Sequence, residues 1–394
     1  MNRLTMVKDK PTRLVSDYEE GDFYLASPEG TILGKGCVEK VAVALNKGEN
    51  ESLSKEVRKA LDRAQKNGFH NPIVVGAVPF ESGIDPELSI PEKVAYAKPY
   101  RGDRTSFKTE MKFDHNELKS VPSSEVYIDG VKRALEQIKN QDYQKVVLSR
   151  SLQVQTKGRI EVKEILKRLS DRNADGYTFG VHLSNKQNST TFIGASPELL
   201  VSRRKNRVIA NPLAGSRARS LDPEEDERRA AELMISEKDL HEHALVVNEV
   251  CKGLEGLCPE LDVPENPSLI KTETMWHLST VITGKLSNPE MSSLDLAMAL
   301  HPTPAVCGYP AEAAYQAIRE IEPFDRNYFT GMVGWCDAQG DGEWVVAIRC
   351  AEINENSMTL YAGAGVVAAS KPEEELAETG AKFQTMLDAM GLQK

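Results

Sequence analysis

YAGAGVVAASKPEEELAETGAK, residues 361–382, is the stretch that decides the reading of this chain. It enters as a strand, Thr359 to Ala362, and reaches Gly363-Ala364-Gly365, a glycine turn where backbone can approach a ligand unobstructed by side chains. Ser370 reads as an N-cap, with Pro372 in the first turn and Glu373 to Glu375 behind it, so a helix begins there. Leu376, Phe383, Leu387 and Met390 supply its buried stripe. Glu375, Glu378 and Lys382 fall at i, i+3 and i+7 on a flanking face. Two carboxylates and an ammonium beside a glycine turn suit a divalent metal with an anionic substrate. Taken alone, the same helix also reads as a solvated face with a Glu378–Lys382 pair.

Immediately upstream, Glu343 to Cys350 reads as a strand, with Trp344, Val346 and Ile348 on one face and Val345, Ala347 and Arg349 on the other. A turn at Asn354 to Ser357 makes it a hairpin with Thr359–Ala362, which sets Arg349 beside Gly363. Further back, Asp222-Pro223-Glu224-Glu225 opens a helical region that reaches Leu254 with a break near Ser236. Leu240, Ala244, Val247 and Cys251 form its apolar stripe, while Glu242 lies between Leu245 and Val246 on a second face, as a paired or a functional carboxylate.

Trp276 to Lys285 and Lys145 to Leu152 read as strands, as do Tyr177–Leu183, Thr191–Ile193, Leu199–Arg203 and Arg207–Ala210. Ser123 or Ser124 caps a helix to about Lys139 with Val126, Val131, Leu135 and Ile138 inward, and Ile160–Leu169 is another helix. Nearer the N-terminus, Phe23–Leu25, Thr31–Leu33 and Ile73–Phe80 are strands and Ser54–Lys66 a helix, while residues 98–122 are polar and irregular. Helices and strands mix without strict βαβ alternation, which implies an α+β fold with largely antiparallel sheets.

The 394 residues are 27% charged and 40% hydrophobic, an ordinary globular composition. The net charge of -10 argues against a nucleic-acid surface. Six scattered cysteines with no Cys-x-x-Cys spacing argue against a disulfide framework or a zinc site. No segment approaches the ~20 apolar residues of a membrane span, and the N-terminus lacks a signal-like apolar core, so a cytoplasmic protein is expected.

Several residues can carry chemistry. Lys145 begins an apolar strand, either as a sheet-edge lysine or as a desolvated base of lowered pKa. Glu198 follows Ser196-Pro197, either as a turn acid or as a general acid kept protonated by burial. His277 has apolar neighbours and suits a satisfied core histidine as well as an active-site one. His241-Glu242-His243 lacks the His-Glu-x-x-His spacing of a zinc helix. Leu213–Arg217 and His301–Ala305 are loops of small or restricted residues.

The motifs KVVLSR, ASPELL, NPLAGSRAR, EKDLHEH, WHLST, HPTPAVCGYP, FTGMVGW, AIRCAE, YAGAGVV and ELAETGAK, in this order, resemble the chorismate-using enzyme family, which includes isochorismate, salicylate, anthranilate and aminodeoxychorismate synthases. The resemblance covers about residues 123–390 and within the family is greatest to isochorismate synthases of the siderophore type. It implies one large α+β domain of two stacked sheets flanked by helices, with 123–394 as the chorismate-binding region and 1–122 as a variable N-terminal part. It implies Mg2+ held through Glu242 and Glu378, with Asp239 and Glu375 near the metal or its waters. Arg349, Lys382 and the Gly363 backbone would receive substrate carboxylates. The family's base maps onto Lys145, its acid onto Glu198 and its histidine onto His277. Ala214, Gly215 and Ser216 fall in the substrate loop, and Ala305, Val306 and Phe329 on the pocket wall.

The implied reaction is isomerisation of chorismate to isochorismate, feeding 2,3-dihydroxybenzoate siderophores or, alternatively, menaquinone. Salicylate synthesis with added pyruvate elimination is the nearest rival. An anthranilate-type enzyme with a glutamine amidotransferase subunit is disfavoured by Lys145, a non-catalytic binder by the matching site residues, and a monomer is expected.

Overall fold

Along residues 342–347, Trp344 and Val346 join one apolar cluster while Val345 and Ala347 join another. A strand buried on both faces must lie between two layers, and that alternation sets the architecture. The computed structural model describes residues 5–6, 12–41, 50–81, 83–100, 115–184 and 190–392. Among these, an 11-stranded and a 9-stranded sheet face each other, and a 3-stranded sheet stands apart. The described strand pairs are antiparallel apart from Thr5–Met6 against Lys93–Ala97. Phe179, Phe192 and Tyr361 of the larger sheet meet Val75, Val333 and Val345 of the other in the inter-sheet core.

Helices cover the outer faces. Of the described helices, α1 (Thr12–Asp17), α4 (Val162–Arg172) and α9 (Pro372–Ala389) pack on the larger sheet. On the smaller one lie α2 (Asn50–Lys66), α6 (Glu237–Glu255) and α7 (Ser293–Leu300). The helices α3 (Ser124–Lys139) and α8 (Ala311–Ile321) enclose a further cluster around Val146 and Leu148, and α5 (Pro223–Ile235) contacts the small sheet. Phe383 and Leu387 anchor α9, each burial worth about 1.5–3 kcal/mol.

Strands from the first hundred residues sit together at one end of both sheets. Phe23–Ala26, Thr31–Lys35 and Lys93–Ala97 extend the larger sheet, and Ile73–Val78, Glu87–Ile90 and Glu39–Lys40 extend the smaller.

The structure corrects several local expectations. Gly363-Ala364-Gly365 is no turn: the strand Ser357–Val367 runs straight through it. Ser370 does not cap α9; Lys371 occupies that position and the Ser370 hydroxyl accepts from the Val367 amide. Glu343–Cys350 is two strands, Gly342–Val346 in the smaller sheet and Cys350–Asn354 in the larger, and Arg349 at the crossover has φ +50. Trp276–Lys285 likewise divides into Met275–Ser279 and Ile282–Lys285, which join different sheets. In both cases a continuous apolar pattern hides a change of layer. The buried face of α6 is Asp239, Glu242, His243, Val246, Val250 and Leu254 rather than the Leu240–Cys251 stripe, because polar groups are wanted inside. Val126 is exposed and Tyr127 takes its place. His115–Val121 is a strand, and residues 101–114 lie outside the described residues.

Candidate active site

Two neighbouring strands, Lys145–Thr156 and Ser357–Val367, form one wall of a pocket completed by the small sheet and by α6 and α9. Glycine leaves room on this wall for neighbouring side chains. A Cβ at Gly363 would stand 2.5 Å from Ser149 Oγ, and one at Gly365 would stand 2.2 Å from Glu242 Oε1. The close approach at these glycines is by the protein's own Ser149 and Glu242 side chains, on an extended strand.

The small sheet supplies the opposite wall. Between the pairs Leu213↔Ser279 and Ser216↔His277 the strand carries one extra residue, and Gly215 takes φ +78 in this bulge. The Ser216 hydroxyl thereby donates to Glu378 Oε1 at 3.0 Å.

Most of the singled-out residues converge. Glu198, Ala214, Gly215, Ser216, Glu242, His277, Ala305, Val306, Phe329, Arg349, Gly363, Glu378 and Lys382 line this one pocket. Lys145 adjoins it through Glu242, whose Oε1 lies 2.8 Å from Nζ. Asp239 and Glu375 do not line the pocket and are held by Arg217 at 2.7 Å and Lys238 at 2.6 Å.

Charge in the pocket follows from burial. Glu198 is pushed up to about 7 by burial, against the opposing Leu213 amide, Lys145 and Arg349. His277 is driven well down by burial and then by Arg349 and Lys382, so the ring is neutral, and its Nε2 has no hydrogen-bond partner among the described residues. Burial lowers Arg349 to about 10, partly offset by Glu378 and Glu198. Its guanidinium has no salt bridge within 4.0 Å among the described residues. Lys382 instead bonds Glu378 at 2.6 Å and the Gly363 carbonyl at 2.7 Å. Burial works against ionisation of Glu378, but Lys382 holds it below the usual carboxylate range, whereas burial and the Glu378 charge raise Glu375.

A buried guanidinium with no salt bridge among the described residues, beside a neutral imidazole and a protonatable acid, has the chemistry to receive an organic carboxylate and to donate a proton. The chorismate binding enzyme family model matches residues 95–391. The chain belongs to the chorismate-binding enzymes. It is 51% identical over 395 aligned residues to isochorismate synthase DhbC of Bacillus subtilis (strain 168), covering 100% of this chain and 99% of that protein. The vibriobactin-specific isochorismate synthase of Vibrio cholerae is 45% identical, over 94% of this chain and 92% of its own. A crystal structure of the putative 2,3-dihydroxybenzoate-specific isochorismate synthase DhbC from Bacillus anthracis superposes with TM-score 0.92 at 53% identity, covering 97% of this chain and all of that one.

The carboxylates of this chorismate-binding enzyme suit a hard cation. Glu242 and Glu378 line one pocket and offer only oxygen, the donor type Mg2+ takes while keeping several waters. Among the described residues no three His, Cys, Asp or Glu side chains converge as ligands, since each acid is drawn onto its own cation.

Two supports escaped the sequence reading. Glu322 and Arg326, both buried, pair at 2.6 Å. Arg326 donates to the Val147 carbonyl at 2.7 Å and the Val306 carbonyl at 2.8 Å, and Glu322 accepts from the Ser149 amide at 2.7 Å, so one ion pair ties two pocket walls. Nothing in IEPFDR marks this, because the partners are backbone groups distant in sequence. His243 is held neutral, near 4, chiefly by burial. It lies 3.1 Å from the Ala214 carbonyl and 2.7 Å from the Thr280 hydroxyl and so fixes the bulged loop. Its signal was present in His241-Glu242-His243, where rejecting zinc left it without a role.

Proposed function

We propose that this chain is a Mg2+-dependent isochorismate synthase that converts chorismate to isochorismate for 2,3-dihydroxybenzoate siderophore biosynthesis. The observation that carries the reading is Arg349, a buried guanidinium with no salt bridge among the described residues, facing the same pocket as Glu198 and Glu378. Chorismate is a dianion, and Arg349 offers one of its carboxylates a planar two-point contact. Lys382 and the Gly363 backbone serve the other end. Full-length similarity to the isochorismate synthases named above supports the activity and the siderophore branch.

In the proposed reaction water adds at ring C2, the ring double bonds shift and the C4–O bond breaks. The proton of the attacking water passes to Lys145. Glu198, protonated near neutrality because it is buried, gives its proton to the departing hydroxyl, which leaves as water. Lys145 lies 2.8 Å from Glu242, which holds its amine at the edge of the pocket. His277, uncharged, presents an imidazole nitrogen to the substrate without adding a third cation. When bound by Glu242 and Glu378, Mg2+ would neutralise a substrate carboxylate.

The protein is further proposed to act in the cytoplasm as a monomer without an amidotransferase subunit; no described helix is long and apolar enough to cross a membrane. Chromatography of the products after complete conversion tests the activity. Isochorismate without pyruvate is expected. Salicylate and pyruvate in equal amounts would move the chain to the salicylate synthases, and light scattering at working concentration checks the monomer.

A further inference from the structure

Four acids cluster around the pocket, and each has its own cation. Glu242 is paired with Lys145, Glu378 with Lys382, Glu375 with Lys238 and Asp239 with Arg217. Lys145 and Lys382 have work on the substrate in the reading above. Lys238 has none: it does not line the pocket, yet its side chain is 17% exposed and lies 2.6 Å from a Glu375 carboxylate that is 1% exposed.

Each of these four carboxylates already has a cation, and Arg349 adds a buried positive charge to the pocket with no salt bridge among the described residues. A divalent ion arriving alone would add two more positive charges to a partly buried group. A dianionic substrate arriving with it brings the negative charge that offsets them. Lys238 is the member of the set whose position allows it to tune this, since it stands one residue before Asp239 on α6 and reaches across to α9. Burial works against its charge, and Glu375, Glu378 and Glu242 outweigh that effect, so it remains an ammonium amid the acids.

We propose that Lys238 is a tethered counter-cation that holds Glu375 in the metal-free enzyme and keeps the intrinsic affinity for Mg2+ low until the dianion binds. The proposal rests on the metal reading given above. Its physical basis is that a fixed positive charge within several ångströms of a divalent site repels the incoming ion, and partial burial leaves that repulsion poorly screened.

The test is calorimetric titration of Mg2+ into substrate-free protein, wild type against Lys238→Gln, which can still donate a hydrogen bond to Glu375. The Gln variant should bind at least about tenfold more tightly, and Lys238→Arg, which keeps the charge, should match wild type within about twofold. An unchanged or weaker dissociation constant for the Gln variant overturns the proposal and makes Lys238 an orienting residue for Glu375. The wild-type protein provides a second readout that needs no variant. Lysine acetylation mapped by mass spectrometry should increase at Lys238 when Mg2+ and chorismate are added, because the ammonium is released from Glu375. Equal labelling with and without them counts against the proposal. If wild type binds no Mg2+ with or without chorismate, the metal reading itself fails, an outcome distinct from equal affinities in wild type and variant.

Discussion

Gly365 and Glu242 are so close that a single methyl group on the glycine would collide with the carboxylate oxygen. The bare strand therefore leaves the room in which the Glu242 carboxylate, carried by α6, now sits. Gly365→Ala should displace that carboxylate and the adjoining Lys145, whose Cε lies 3.1 Å from the same point. A misplacement of this size costs on the order of 100-fold in turnover. The expected result is loss of kcat and of Mg2+ response together, in a protein whose circular dichroism is that of wild type. Full activity of the alanine variant would show that the acid has room to move.

Lys145→Ala should leave chorismate binding nearly intact, because Arg349 and Lys382 remain. The rate for bound substrate should fall by about 10²–10⁴, the contribution of a positioned base. Single-turnover kinetics alongside chorismate affinity separate these. Ammonia supplied at high pH needs no base to attack and should give an amino adduct in the variant. If affinity collapses while the bound-state rate is unchanged, Lys145 is an anchor and the base lies elsewhere.

Arg349→Ala removes a charge-assisted contact worth roughly 1.5–3 kcal/mol, an increase of about 10- to 100-fold in KM. Arg349→Lys should recover only part of it, since the planar fork is lost. Stability should respond in the opposite direction. The native guanidinium is buried without a salt bridge among the described residues and sits at φ +50, so Arg349→Gly should melt no lower than wild type. A fall in both affinity and melting temperature would point to a structural role.

Glu198 must be protonated to serve as the acid, and burial brings it to about 7. Activity should therefore decline as pH rises through about 7, and Glu198→Gln should abolish that limb with most of the rate. Stability follows the same sign. A carboxyl raised on folding holds its proton in the native state after the unfolded state has lost it. Stability is then fully present below the ordinary carboxylate value of 4.5 and falls as pH climbs towards about 7. Glu343, also raised to about 7 by burial against the opposing Arg204, lies outside the pocket and adds to the same decline. Urea titrations at several pH values should show Glu343→Gln flattening the slope by up to roughly 1.4 kcal/mol per pH unit while kcat keeps its wild-type pH profile.

Much of this pocket was legible because its residues lie within short motifs: Glu198 after Ser196-Pro197, Glu378 beside Lys382, Gly363 and Gly365 in one strand. What stayed hidden depends on pairings between distant segments. The Lys145 expectation was a desolvated base, and the structure brings up Glu242 from α6 as its partner. Arg326 reaches the carbonyls of Val147 and Val306, contacts that leave no trace in side-chain pattern. For the fold, periodicity located strands well but could not register a change of sheet at Ala347–Arg349, where apolar residues continue on both sides of the crossing. The glycine pair was read as a turn because glycine in isolation signals flexibility; here it makes room for a neighbour.

The strands from the first hundred residues close one end of the sandwich, and every residue lining the candidate active site falls between Val147 and Lys382. Robustness and chemistry are thereby allotted to different parts of the polypeptide. Substitutions among Phe23, Ile32, Ile73 and Val75 change how firmly the two sheets are clasped, and they reach the pocket only through Phe329 and Tyr361, which share their cluster. An engineer who wants to harden this protein against heat can therefore work on its N-terminal strands and leave every pocket-lining side chain in place.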